Sequence, residues 1–427
     1  MSKQIDVHDI EKGMYVSELD RPWTGTPFLF QGFEIRTDEQ IAQLQRLCRH
    51  VYVAGDIERT PPSLRDSAKL LGVEPALGEE PASRIDTRYA EILKQSQKRR
   101  IISPQYDNSV TLEEEIAVAR TIEATAREIV YTLTDDVTRN RSLDSQRVRS
   151  MIAGMVGSIT RNPDALIWLT HLRNKDEYTA LHSIRVAIFA LAFGRHLDLS
   201  VEELNILGVG ALLHDIGKLK VPHEILNKPG RFTPQEYEIM KTHVSHGVGI
   251  LEGARGIPMA AVEVARCHHE RYAGTGYVYG LSGDRIGLFG LIGAIVDTYD
   301  AITSDRSYHA GISASAALSN LYKERNKDFH GGLVDQFIQC MGIYPIGSIV
   351  EINTGSVGVV ITVNRHRRLR PKVALVFDAN KQPCPKGTIV DLAHSEAIPG
   401  GRVIEIRRVL AAGTHGIDPS AYLPASS

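Results

Sequence analysis

The sequence predicts a mainly α protein, with a small α+β N-terminal domain before the helical core and a small β C-terminal module after it. Apolar residues recur at helical spacing from about residue 111 to about residue 325. Capping signatures open several of those runs: Thr111 with Glu114, Ser200 with Glu203, and Thr233-Pro234 with Glu236. Outside that stretch the texture changes to short β-branched or aromatic runs broken by glycine and proline.

Residues 1–55 form the N-terminal domain. Short β-like runs at Tyr15–Val16, Phe28–Phe30 and Val51–Val53 flank a helix over Thr37–Arg49, whose Ile41, Leu44 and Leu47 share a face. Trp23 and Phe28 are read as core rather than as a ligand surface. Residues 56–110 have the composition of a linker, with Pro61, Pro62, Pro75 and Pro81 interrupting periodicity and a short helix over Tyr89–Gln97. Residues 111–343 are the helical domain. Its helices are expected from Thr111 to about Leu133, then over Asp144–Thr160, Ala165–Arg173, Asp176–Leu197, Ser200 to HDIGK, Gln235–Leu251, Ala260–His268, Leu288–Thr303 and Ser313–Arg325. Residues 344–427 supply strands at Ile349–Ile352, Gly358–Val363, Lys372–Phe377 and Thr388–Asp391, and the basic run Arg365–Arg370 is a charged turn between two of them.

Composition narrows the function classes. The chain has 427 residues, 43% hydrophobic and 23% charged, and a net charge of -2, which gives no global attraction to nucleic acid or anionic membrane. Four cysteines, Cys48, Cys267, Cys340 and Cys384, lie far apart with no CxxC, which points to a reducing compartment and away from a zinc ribbon. The longest apolar runs are far shorter than a membrane span, and the polar N-terminus lacks the features of a signal peptide. Cytoplasm is the expected compartment.

The helical domain carries the chemistry. His182 lies inside an apolar helix, and His214 and Asp215 end another. His243 and His246 sit three apart on a third, His268, His269 and Glu270 close a fourth, and Asp297 interrupts the apolar run IGAIVDTYDA. One histidine on an apolar helix is an ordinary core residue. Several helices that each bring His or Asp to a buried face are not, because burying ionisable groups is costly unless they pair or bind metal. Imidazole and carboxylate without thiolate suit iron, manganese or zinc in a catalytic site. Asp215 can bridge two ions, and the pair can ionise a water and neutralise a phosphoryl oxygen. Lys218 adds positive charge one turn from His214.

Four stretches together resemble the HD-GYP group of HD phosphohydrolases: HDIGK at 214–218, Lys241-Thr242-His243, HHERYAGTGYVYG at His268–Gly280, and DTYDAITSDRSY at Asp297–Tyr308. The likeness runs from about Ala165 to Gly342. The string GMYVSELDRPWTGTPFLFQGF resembles the small domain of unknown function that precedes HD-GYP domains in bacteria. The resemblance implies an HD-type all-α domain and a phosphodiesterase that opens cyclic di-GMP to linear pGpG and carries it on to GMP. His182, His214, Asp215, His243, His268, His269 and Asp297 correspond to the group's metal-binding positions. Asp215 and Lys218 are the implied catalytic residues, with Lys218 approaching the scissile phosphate. Arg306 falls at a phosphate-binding position, and Gly276 and Tyr277 on the loop that names the group.

Two divalent ions are expected, iron or manganese ahead of zinc. Expected partners are a cyclic dinucleotide, a diguanylate cyclase-type or other signalling protein, and a second copy of the chain in a homodimer. Three departures bear on this. Val278 stands where the group has proline, His309 where some members have lysine, and Tyr178 where members with a third metal have glutamate, which favours two ions over three. Two competing readings are a cyclic di-GMP-responsive adaptor with little turnover, motivated by Val278, and an HD phosphohydrolase for another nucleotide.

Overall fold

The structure is a computed structural model that describes residues 2–20, 33–35, 38–54, 87–97, 106–139, 141–171, 178–228, 230–304, 311–364, 367–385, 387–394, 403–411 and 413–422. The chain divides into two compact units, Met1–Arg84 and Ile85–Ser427.

In the first unit, strands β1 (Ser2–Asp6), β2 (Tyr15–Leu19), β3 (Phe33–Glu34) and β4 (His50–Ala54) form an antiparallel sheet in the order β1-β4-β2-β3. Helix α1 (Asp38–Leu47) buries Leu44 in a core with Val7, Val16, Ile35, Val51 and Val53. The sequence hides β1 because Ile5 is its one apolar residue, yet it pairs along its length with β4, Ser2 opposite Ala54 and Asp6 opposite His50. Trp23, Phe28–Phe30 and the linker up to residue 86 lie outside the described residues.

The second unit is helical. Helices α2 (Thr87–Gln97), α3 (Leu112–Thr138), α4 (Ser145–Arg161) and α5 (Pro163–Leu169) lead into α6 (Tyr178–His196) and α7 (Val201–Leu213). A 3-10 turn (Ile216–Lys220) and the short α8 (His223–Leu226) follow. Then come α9 (Pro234–Gly253), α10 (Met259–Cys267), α11 (Leu288–Thr303), α12 (Ala314–Lys323) and α13 (Gly331–Met341).

The three expected capping boxes are present on α3, α7 and α9. In each, the cap hydroxyl accepts from the backbone N–H three residues on, and the glutamate there accepts from the cap's own N–H, at 2.7 Å for Thr111, 2.6 Å for Ser200 and 2.6 Å for Thr233. The expected helix Ala165–Arg173 instead starts at Pro163, where the Asn162 side chain accepts from the Asp164 N–H, and it ends at Leu169.

Helices α6 and α11 are apolar almost all round and lie in the core, so their polar residues are conspicuous. Helix α13 escapes the sequence reading because Gly331-Gly332 opens it and a histidine caps it. The buried His330 ring accepts from the Leu333 N–H at 3.1 Å through Nδ1, and burial lowers its pKa. Because the neutral ring is the form the fold favours, its contribution is complete above the unfolded value near 6.5 and is lost as pH falls below it. His330→Asn keeps a cap acceptor that cannot titrate. Its melting temperature is expected to fall less steeply than the wild type's between about pH 7 and pH 5, as read by thermal unfolding.

Strands β5 (Ile349–Ile352), β6 (Val357–Thr362), β7 (Lys372–Phe377), β8 (Ile389–Asp391) and β9 (Ile406–Val409) make an antiparallel sheet in the order β8-β7-β6-β5-β9. Alternation splits its two faces. Ile349, Val357, Val359, Ile361, Ala374 and Val376 join the helical core, while Val350, Ile352, Val360, Val373, Leu392 and Ile406 form a second small core. The edge strand β9 reads polar because Arg408 pairs with Glu351 on β5 at 2.7 Å. In the basic turn between β6 and β7, Arg367 donates to the Ala393 carbonyl at 2.7 Å and Arg370 to that of Leu392 at 3.3 Å.

Candidate metal centre

Six segments converge on one buried point. Helix α6 brings His182, the end of α7 brings His214, and Asp215 stands at the head of the 3-10 turn that carries Lys218. Helix α9 brings His243, the end of α10 brings His268 and His269, and α11 brings Asp297. Gly217 permits the tightest of these approaches. A Cβ there would run into the His243 carbonyl and the Gly247 backbone nitrogen, so only glycine lets the turn lie against α9.

The side chains form two groups that share one residue. Asp215, His243, His268 and His269 can each bring a ligand atom within 4.8 Å of the others, and so can His182, His214 and Asp215. The Asp215 oxygens divide between them. Oδ1 lies 3.5 Å from His243 Nε2 and 3.7 Å from His268 Nε2, while Oδ2 lies 3.5 Å from His182 Nε2 and 3.3 Å from His214 Nε2. Asp297 Oδ1 joins the second group, 3.2 Å from His182 Nε2 and 3.7 Å from His214 Nε2. All are buried except His269, which is half-buried.

The outer nitrogens are already committed. The Nδ1 atoms of His214, His243 and His268 donate to the carbonyls of Ala211, Met240 and Ala265 at 2.8, 2.6 and 2.9 Å, which turns each Nε2 inward. His182 Nδ1 instead donates to Asp300 Oδ2 at 2.7 Å, and Arg185 Nε donates to Asp300 Oδ1 at 2.7 Å. Asp300 and Arg185 escaped the sequence reading. The available signal was spacing, since each lies three residues beyond a cluster residue on its own helix.

The electrostatics fit a cation. Burial alone would raise Asp215 and Asp297, but Lys218 with His214 and His182 at Asp215, and His182 with His214 at Asp297, hold both well below the ordinary carboxylate range. Burial would likewise lower His182 and His214, yet the adjoining carboxylates override it, raising His182 well above its usual value and His214 to about 9. Burial pushes His243 down to about 3, and it lowers His268 and His269 as well, so these three rings stay neutral. His214 Nε2 and Asp215 Oδ1 are buried and make no hydrogen bond among the described residues. Orphaned buried nitrogen and oxygen atoms, each able to offer a lone pair at the focus of an imidazole–carboxylate cage, are what metal ligation would satisfy. The donor set therefore fits divalent ions.

Lys218 Nζ lies 2.5 Å from Asp215 Oδ2. The Tyr277 ring stacks on His269, with centroids 4.6 Å apart and planes at 29°. Gly276 folds its backbone against that of His269, Glu270 and Arg271. Glu270 neither orients a ligand histidine nor serves mainly as an ion pair. It is fully buried and accepts from the Tyr279 and Leu281 N–H groups at 2.8 and 3.1 Å, which fixes the loop after the paired histidines. His246 is exposed and outside the cluster. Arg306, His309 and Glu177 lie outside the described residues, as does the side chain of Tyr178.

Asp300→Asn tests the outer contact. It keeps an acceptor for His182 but removes the charge that Arg185 and the ring share. The expected result is a 10- to 100-fold (order-of-magnitude) loss of metal affinity, read by competition with a fluorescent chelator, with the fold intact by circular dichroism.

The HD domain family model matches residues 111–332, a domain of unknown function (DUF3391) matches 2–148, and a KOW domain associated with the HD domain matches 349–408. A cyclic di-GMP phosphodiesterase of Pseudomonas aeruginosa is 33% identical over 402 residues, covering 92% of this chain and 90% of that protein. A cyclic di-GMP phosphodiesterase response regulator of Xanthomonas campestris is 38% identical over 167 residues, 39% of this chain and 44% of that one. A 3'3'-cGAMP-specific phosphodiesterase of Vibrio cholerae is 35% identical over 162 residues, 38% of this chain and 31% of that one. Among the described residues no helix is long and apolar enough to cross a membrane. With its family model spanning the helices that build the cluster, and a relative matched along nearly its whole length, the chain belongs to the HD domain family.

Proposed function

We propose that this protein is a metal-dependent phosphodiesterase that hydrolyses cyclic di-GMP to linear pGpG, and that it binds two divalent ions, iron or manganese, through Asp215 as the shared ligand. The observation that carries this reading is the division of the Asp215 oxygens, one facing His243 and His268, the other His182 and His214. The similarity along nearly the whole chain to a protein named a cyclic di-GMP phosphodiesterase supports the substrate.

Ions held there supply Lewis acidity toward a phosphoryl group and a water ionised near neutral pH. The protein's own groups supply the rest. His243, His268 and His269 complete one side, and His182, His214 and Asp297 the other. Asp300 fixes the His182 ring so that Nε2 faces the centre. Lys218 adds a positive charge at the same carboxylate and stabilises the negative charge that develops on the phosphoryl oxygens. Arg306, by its place in the motif, and Tyr277 with Gly276 at the loop are assigned to the substrate.

The test is hydrolysis by anaerobically purified protein with added manganese or iron, with the products separated by chromatography. Conversion of cyclic di-GMP to pGpG that His214→Ala abolishes is the expected result. Absence of turnover in the wild type, or turnover indifferent to His214→Ala, overturns the proposal. A panel containing 3'3'-cGAMP decides the substrate, since three relatives are named as specific for that dinucleotide.

A further inference from the structure

The aromatic wall beside the cluster does not end at Tyr277. Tyr237, in the first turn of α9, meets the Tyr277 ring edge-on, with centroids 6.1 Å apart and planes at 79°. Lys241, one turn further along the same helix, holds its ammonium 5.3 Å from the Tyr237 ring centre and 5.8 Å from that of Tyr277. Glu238 holds the ammonium at 2.5 Å and is itself exposed. His269, Tyr277 and Tyr237 thus form a run of rings from the cluster to the surface. The last of them is 43% exposed although it is a large aromatic group.

We infer that Tyr237 and Lys241 form a base subsite, in which the Tyr237 ring stacks a purine of the substrate and Lys241 faces its anionic backbone. This rests on the phosphodiesterase reading above and extends it. An aromatic face beside an ammonium, continuous with a centre built for a phosphoryl group, matches a ligand that has a planar base and a phosphate in one molecule. Glu238 pairs with this lysine beside the rings. Neither residue is one of the imidazole or carboxylate ligand candidates around Asp215.

The experiment compares two substrates on one metal-loaded protein: cyclic di-GMP, which has bases, and bis(p-nitrophenyl) phosphate, a diester without them. Stacking contributions of the size found for bases on aromatic side chains predict that Tyr237→Ala raises KM for cyclic di-GMP about tenfold. Tyr237→Phe, which keeps the ring, should stay within about twofold of wild type. Lys241→Gln should raise the same KM. The decisive quantity is the ratio of kcat/KM for the two diesters, which falls in Tyr237→Ala and recovers in Tyr237→Phe. An unchanged ratio, or an equal loss in Ala and Phe variants, overturns the subsite while leaving the phosphodiesterase reading in place. Wild-type protein that cleaves the base-free diester but no cyclic dinucleotide overturns that reading and the subsite with it.

Discussion

Asp215→Asn is expected to reduce turnover by at least about three orders of magnitude, equivalent to ~4 kcal/mol of transition-state stabilisation. An amide keeps one oxygen, so it can serve one side of the cluster and not both. Its nitrogen would point a pair of N–H donors at ring nitrogens or at a cation, whichever way the amide turns. The carboxylate is also the counter-charge for His182, His214 and Lys218, so its loss leaves buried positive groups without their partner. The accompanying observation is metal content. Elemental analysis of anaerobically purified protein should show the variant losing at least one of the ions that the wild type retains. Wild-type metal content and activity in this variant would remove Asp215 from its proposed role.

The second large effect is expected at a residue with no functional group. In Gly217→Ala the new methyl group must displace the His243 carbonyl or the Gly247 backbone, and neither can move without shifting α9. The 3-10 turn would lift from that helix and carry Asp215 and Lys218 away from His243. A displacement of about 1 Å at a catalytic constellation costs roughly 100-fold in rate, and overpacking of this kind destabilises by about 1–3 kcal/mol. Gly249→Ala is the matched comparison. It lies on the same α9, exposed, with nothing within 4 Å of the added Cβ. It should leave activity at the wild-type level and stability equal or raised by up to about 1 kcal/mol. Equal activity of the two variants in a turnover assay, with equal melting temperatures, would contradict the packing argument.

Much of the cluster was legible because metal-type chemistry leaves a distinct trace in an apolar sequence. His182 and Asp297 are conspicuous because α6 and α11 are otherwise hydrophobic, and HDIGK because it ends a buried run. What the sequence could not reveal was which atoms face which. The assignment of Asp215 Oδ1 and Oδ2 to different sides, and the orientation of the His182 ring by Asp300, are three-dimensional facts between residues on different helices, 118 positions apart for His182 and Asp300. The role of Glu270 was hidden for a similar reason. Its partners are backbone N–H groups nine and eleven residues on, which leave no side-chain signature.

The helical elements followed from periodicity and capping, as Thr111, Ser200 and Thr233 illustrate. The elements missed were those whose local signals run against their state. Helix α13 opens on two glycines after a histidine cap, β1 is an edge strand with one apolar side chain, and β9 is an edge strand with only two. Pairing with β4 and with β5 determines those two strands more than their own composition does.

The most direct test of the shared-carboxylate centre is an anomalous-scattering map from crystals of manganese-loaded protein. Two peaks are expected, one between Asp215 Oδ1 and the rings of His243 and His268, the other between Asp215 Oδ2 and the rings of His182 and His214. A single peak, or two peaks of which either lies out of coordinating reach of Asp215, would contradict it.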